Sequence, residues 1–170
     1  MEKPTVKLQK IEGGVTAAKG FMAASTAAGI KYQGRQDMAM IYSQAPCRSA
    51  GTFTTNIVKA APVKWDKNQV TSGAPAQAVI VNAGIANACT GEEGMGYCSQ
   101  TAQAAAEALK IPAEGVLVAS TGVIGMQLPI DRIKAGIKTM APLLDGSLES
   151  GTSASKAIMT TDTKNKEVAV

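Results

Sequence analysis

Val116-Leu117-Val118-Ala119-Ser120-Thr121-Gly122-Val123-Ile124-Gly125 is an apolar run that stops at Ser-Thr-Gly, the pattern of a buried strand delivering small polar groups to a turn. Its glycines permit backbone conformations that a side chain forbids. If the strand end faces a cleft, the Thr121 hydroxyl and the Gly122 N–H can converge on one spot and stabilise an oxyanion of acyl transfer. The same residues also fit a plain glycine turn in which Thr121 satisfies local backbone groups.

Upstream, Ala76-Gln77-Ala78-Val79-Ile80-Val81 predicts a central strand that empties into a small-residue loop, Asn82-Ala83-Gly84-Ile85-Ala86-Asn87-Ala88-Cys89-Thr90-Gly91. Glu92 and Glu93 then suit a helix N-terminus, and Met95, Cys98, Ala102, Ala105 and Leu109 keep helical spacing. The order around the Val116 strand is therefore strand, helix, strand. Downstream, Pro129 opens a second helix with Ile130, Ile133, Ile137, Met140 and Leu144 on one face, ended by Asp145-Gly146. A third helix is expected over Ser153 to Met159, followed by Thr160-Thr161-Asp162-Thr163, and Lys166 to Val170 begins an alternating strand pattern.

Toward the N-terminus, Met38 to Ser43 predicts a strand ended by Pro46, and Gly51 to Asn56 a second strand pairing with it as a hairpin. Residues 1–37 read as a glycine-rich loop or arm with no clear regular structure, and Trp65 to Gly73 as a polar patch. No repeat or internal linker divides the chain, so residues 1–170 form a single domain.

The 170 residues carry a net charge of +4, with lysines scattered rather than blocked, and only six aromatic side chains are available for stacking on bases. Nucleic acid is not the expected partner. Met1 to Lys10 lacks the apolar core of a secretory signal and no apolar run is long enough to span a bilayer, so no membrane partner is expected and the location is cytoplasmic. Cys47, Cys89 and Cys98 read as buried free thiols. The absence of histidine excludes a Ser-His-Asp or Cys-His centre built from these residues, so a nucleophile must find another base, such as a terminal amine, or lie on another chain.

Taken together, several stretches resemble the ornithine acetyltransferase family, the bifunctional glutamate N-acetyltransferases of arginine biosynthesis. They are Val15 to Phe21, Pro46-Cys47 to Asn56, Ala60-Ala61-Pro62-Val63, Asn82 to Gly91, Ser120 to Gly125 and Ile158 to Thr163, in family order. The resemblance implies an α/β fold with mixed sheets layered with helices, similar to that of the self-processing aminopeptidases of the DmpA type. It also implies a precursor that cleaves itself before a threonine, which becomes the first residue and nucleophile of a β chain. This chain would be most of the α chain, assembled with the β chain as an α2β2 heterotetramer.

On that resemblance Thr121 and Gly122 stabilise the oxyanion, Thr160 contacts substrate with Thr161 as the alternative, and Ile85 stands where the family often carries Asn. The implied reaction moves the acetyl group from N-acetylornithine to glutamate without metal or organic cofactor, and acetyl-CoA is an acetyl donor for some members. Two other readings stay open. One is a non-catalytic ligand-binding or structural domain; the other is a same-family acetyltransferase of a specialised-metabolite pathway.

Overall fold

The computed structural model describes residues 7–170, so the reading of Met1 to Lys10 falls partly outside them. A four-stranded mixed sheet runs β1 (Phe21–Thr26), β2 (Met38–Cys47), β3 (Ala76–Ile85) and β4 (Val116–Val123), in that spatial order. β1–β2 and β2–β3 are antiparallel and β3–β4 is parallel. A parallel pair needs a crossover, and α2 (Glu93–Leu109) supplies it. The other helices are α1 (Ala61–Ser72), α3 (Ile130–Met140) and α4 (Leu148–Ala157).

Strand alternation sorts the side chains into two layers. Met38, Met40, Ile80, Val116 and Val118 join Cys98, Ala102, Ala105, Ile133, Ile137 and Met140 in the main core, beneath α2 and α3. The other face meets α4 through a small core of Ala23, Ala39, Ala154 and Ala157. α4 covers β1 and β2, while Val81, Leu117 and Ala119, on β3 and β4, stay half-buried. A cavity of about 570 Å³ opens beside that helix, lined by Phe21, Ile41, Val81, Ile158 and Val168 among others.

β4, α2 and α3 lie where their periodicity predicts, and the α/β expectation holds. Five expectations fail. Residues 51–56 form no strand: Thr54 Oγ1 accepts the Asn56 N–H at 3.1 Å and Asn56 Oδ1 accepts the Val58 N–H at 3.0 Å, local bonds that compete with a ladder. β2 pairs instead with β1, which arises within the segment read as a loop, and it runs through Pro46, where the register shifts against β3 between Tyr42 and Cys47. The polar patch is α1, with Pro62 in its first turn and Gly73 as its left-handed C-cap. Residues 82–85 continue β3 rather than opening a loop.

Smaller departures follow. α3 stops at Met140, and Asp145 forms an isolated bridge with Ala23. α4 begins at Leu148, where Ser147 accepts the Ser150 N–H as N-cap, rather than at Ser153. The closing alternation yields a single bridge, Ile11 to Ala169. Of the three thiols, Cys98 is buried, Cys47 half-buried and Cys89 exposed.

Candidate functional site at the end of the sheet

One end of the sheet gathers the C-terminal ends of β1, β3 and β4, the start of β2 and, through contacts given below, the C-terminus of α4. The β1–β2 loop there is held by Asp37, whose carboxylate accepts the Ala28 N–H at 2.7 Å and the Ile30 N–H at 2.6 Å; its carbonyl accepts the Ala83 N–H at 2.8 Å. Asp37 is 1 % exposed, and these bonds compensate its burial. The 86–91 loop is fixed in the same manner. Asn87 donates to the Gly94 carbonyl at 2.8 Å and accepts the Thr90 hydroxyl at 2.7 Å, while the Ala86 N–H donates to Val123 O and the Gly125 N–H to Ala88 O.

β4 is an edge strand with two different sides. Its inner side pairs with β3 from Ala78↔Val116 to Ile85↔Val123. Its outer side is partly satisfied by α1: Trp65 Nε1 donates to Val116 O at 3.1 Å, and the Val118 N–H donates to Asp66 Oδ1 at 3.0 Å. Successive peptides alternate in direction along a strand, so Gly122, with the parity of Val116 and Val118, turns its N–H toward this same outer edge. Gly122 is exposed and Thr121 half-buried, and among the described residues no side-chain hydrogen bond uses the Thr121 hydroxyl. A hydroxyl and an outward N–H thus meet solvent on consecutive residues, a donor pair of the kind that stabilises an oxyanion.

Both glycines of the Gly84↔Gly122 pair have positive φ, +109° and +135°. A Cβ on Gly122 would lie 2.2 Å from the Gly84 carbonyl carbon, and one on Gly84 would lie 2.9 Å from Lys31 Cβ. The strand ends therefore approach each other, and the β1–β2 loop, more closely than side chains allow. Lys31 Nζ sits 5.0 Å from the centre of the Tyr32 ring, Arg35 packs 5.4 Å from the same ring, and Arg35 donates to the Met159 carbonyl at 2.5 Å.

That chain of contacts brings the α4 C-terminus, and with it Thr160, to this end. Thr160 is half-buried and Thr161 exposed. No hydrogen bond links either to Thr121 or Gly122 among the described residues. Asp162 pairs with Lys166, whose hydrogen bond and positive charge hold its carboxyl below the usual range. Ile85 is buried in the core, so its side chain offers the site nothing polar.

Burial pushes the Asp66 carboxyl up to about 6, against the Val118 N–H, which lowers it. Burial, reinforced by the negative charge of Asp66, pushes the Cys98 thiol up to about 12, which leaves it an inert thiol. Among the described residues no three His, Cys, Asp or Glu side chains gather as a metal site. Sequence reasoning missed Trp65, Asp66, Lys31 and Arg35. Pro62 as a first-turn residue with Gly73 as a stop is the one signal that marks α1, whereas the basic loop carries no periodic signal.

A model of the ArgJ family matches residues 22–170. The chain is 50% identical over 164 residues to the arginine biosynthesis bifunctional protein ArgJ of Symbiobacterium thermophilum, covering 95% of this chain and 40% of that protein. It is 48% identical over 161 residues to that of Gloeobacter violaceus, covering 94% and 39%. The chain thus spans about 40% of the length of the curated relatives it matches. Two crystal structures share the fold. They are ArgJ of Bacillus halodurans (TM-score 0.88, 40% identity, 94% of this chain and 83% of that one) and the ornithine complex of Mycobacterium tuberculosis ornithine acetyltransferase (TM-score 0.90, 44% identity, 94% and 86%).

Proposed function

Because the chain belongs to the ArgJ family, we propose that it is most of the α chain of a glutamate N-acetyltransferase of arginine biosynthesis, acting in the cytoplasm on N-acetylornithine and glutamate. The observation that carries the reading is the open outer edge of β4, where the Gly122 N–H stands beyond the reach of Trp65 and Asp66, next in sequence to the unengaged Thr121 hydroxyl. The solved relative that holds ornithine supports the choice of substrate.

The nucleophile is the first threonine of a β chain cut from the same precursor. Its α-amine, with an ordinary pKa near 8, takes the hydroxyl proton as the oxygen attacks the acetyl carbonyl. Thr121 and Gly122 donate to the resulting oxyanion. Collapse breaks the amide bond, and the proton held by the amine passes to the leaving nitrogen of ornithine. The glutamate α-amine then attacks the acetyl-enzyme, giving a proton to the terminal amine, and the oxyanion forms again in the same place. Its collapse breaks the ester bond to the threonine oxygen, which takes that proton back as N-acetylglutamate leaves. Thr160 contacts the substrate, with Thr161 as the alternative.

No metal or organic cofactor is needed for these steps, and acetyl-CoA serves, where used, as an acetyl donor. The half-buried apolar face of β3 and β4 and the cavity beside α4 supply a surface for the β chain, with two such pairs forming an α2β2 assembly. Mass spectrometry of the full-length protein after expression tests the reading. A second polypeptide beginning with threonine, together with acetyl transfer from N-acetylornithine to glutamate, is expected; an uncut, inactive protein would contradict it.

A further inference from the structure

Immediately before Thr121, the Ser120 hydroxyl donates to Asn82 Oδ1 at 2.6 Å, and Asn82 Nδ2 donates to the Ile85 carbonyl at 2.8 Å. Asn82 is 3 % exposed and directly opposite Ser120 in the parallel register. Its amide therefore spans from the residue preceding Thr121 to the far side of Gly84, whose backbone Gly122 abuts. We propose that Asn82 and Ser120 are positioning residues for acetyl transfer, setting the separation of the β3 and β4 ends and hence the aim of the Thr121 hydroxyl and the Gly122 N–H. The proposal rests on the oxyanion role assigned above.

The chemistry of the pair suits that task. An amide offers a donor and an acceptor on one rigid plane: the donor closes on Ile85 at the end of its own strand and fixes the plane, and the acceptor reaches across to Ser120, so β4 cannot slide past β3 here without breaking that bond. β4 needs such a tie because α1 holds its outer edge only at Val116 and Val118, and nothing among the described side chains anchors Gly122 from outside. The ladder continues past this point, but its facing partners Gly84 and Gly122 both have positive φ and bring no side chains to pack across the pair. A donor misplaced by about 1 Å can cost a hundredfold in rate, so a small slip at Ser120 is catalytically large.

The experiment is steady-state acetyl transfer from N-acetylornithine to glutamate by the full-length, fully processed enzyme, with turnover expressed per processed active site. Ser120→Ala should lower kcat by roughly tenfold or more while KM moves less than about threefold, and Ser120→Thr, which keeps the hydroxyl, should restore most of the loss. Asn82→Ser removes the amide that reaches both partners without burying a charge, and it should lower kcat in the same way; this variant decides the matter if Ser120→Ala does not fold or process. A merely structural pair would lower the melting temperature and the yield of processed enzyme and leave kcat per active site unchanged, which would overturn the proposal. Thr121→Ala is run alongside. Loss of turnover there with full kcat in Ser120→Ala defeats the positioning role alone, whereas full turnover in Thr121→Ala defeats the oxyanion reading beneath it.

Discussion

A Cβ placed on Gly122 would stand 2.3 Å from the carbonyl oxygen of Gly84, its partner across the parallel β3–β4 pair. No side-chain rotation relieves that approach, because both participants are backbone. Gly122→Ala should therefore cost about 2 kcal/mol or more and displace the N–H at the β4 edge. Gly125 also has positive φ but open space around it, so Gly125→Ala should cost only about 1 kcal/mol. Chemical denaturation of the two variants checks the contrast, and equal losses would remove the Gly84 contact as the cause.

Asp66 gives a pH signature. Its carboxyl rises from 3.8 to about 6 on folding, so the folded protein holds this proton more tightly than the unfolded chain does. Stability contributed by the protonated form is present below the unfolded value and is lost as pH rises through that window. With its partial exposure discounted, the loss is on the order of 1 kcal/mol. Asp66→Asn keeps an oxygen for the Val118 N–H and removes the charge. Its melting temperature should gain on the wild type between pH 4 and pH 6 and stay above it at pH 7; parallel pH profiles would contradict this.

How far the sequence revealed these features depends on whether a feature repeats along the chain or only across it. β4 and α2 were legible because Val116 to Val118 form a continuous apolar run and Met95 to Leu109 keep one helical face. α1 was hidden by its lysines and by having only Ala61 and Pro62 fully buried, and β1 by its small residues between glycines. The Gly51–Asn56 expectation failed because β-branched content is a weak prior that two local side-chain bonds overcame. At the site, Thr121 and Gly122 were legible as residues, but the Ser120–Asn82 bond joins positions 38 apart and exists only once the parallel register is known.

Residues 1–170 alone should transfer no acetyl group. They supply hydroxyls and backbone donors at the sheet end, and the proposed threonine nucleophile with its α-amine belongs to the other chain. Adding the purified β chain, or expressing the full-length protein, should restore turnover. Acetyl transfer by the isolated chain would contradict the division of roles.

Thr160 separates binding from chemistry. It reaches the sheet end through the Arg35 contact with Met159 and makes no hydrogen bond to Thr121. Thr160→Val should raise KM for N-acetylornithine several-fold with kcat held within about twofold, the pattern of an interaction shared by ground state and transition state. If Thr161→Val does so instead, the neighbouring hydroxyl is the substrate contact.

Steady-state acetyl transfer by processed Thr121→Ala and Thr121→Ser enzymes, with folding followed by circular dichroism, bears most directly on the oxyanion role of the β4 edge. The proposed self-cleavage shares a tetrahedral intermediate of this kind, so the processed fraction is measured first. The Ala variant should fold normally and lose roughly 10²- to 10³-fold in kcat with a smaller change in KM, and the Ser variant should keep a good part of the activity. Near-normal turnover in processed Thr121→Ala would contradict the assignment.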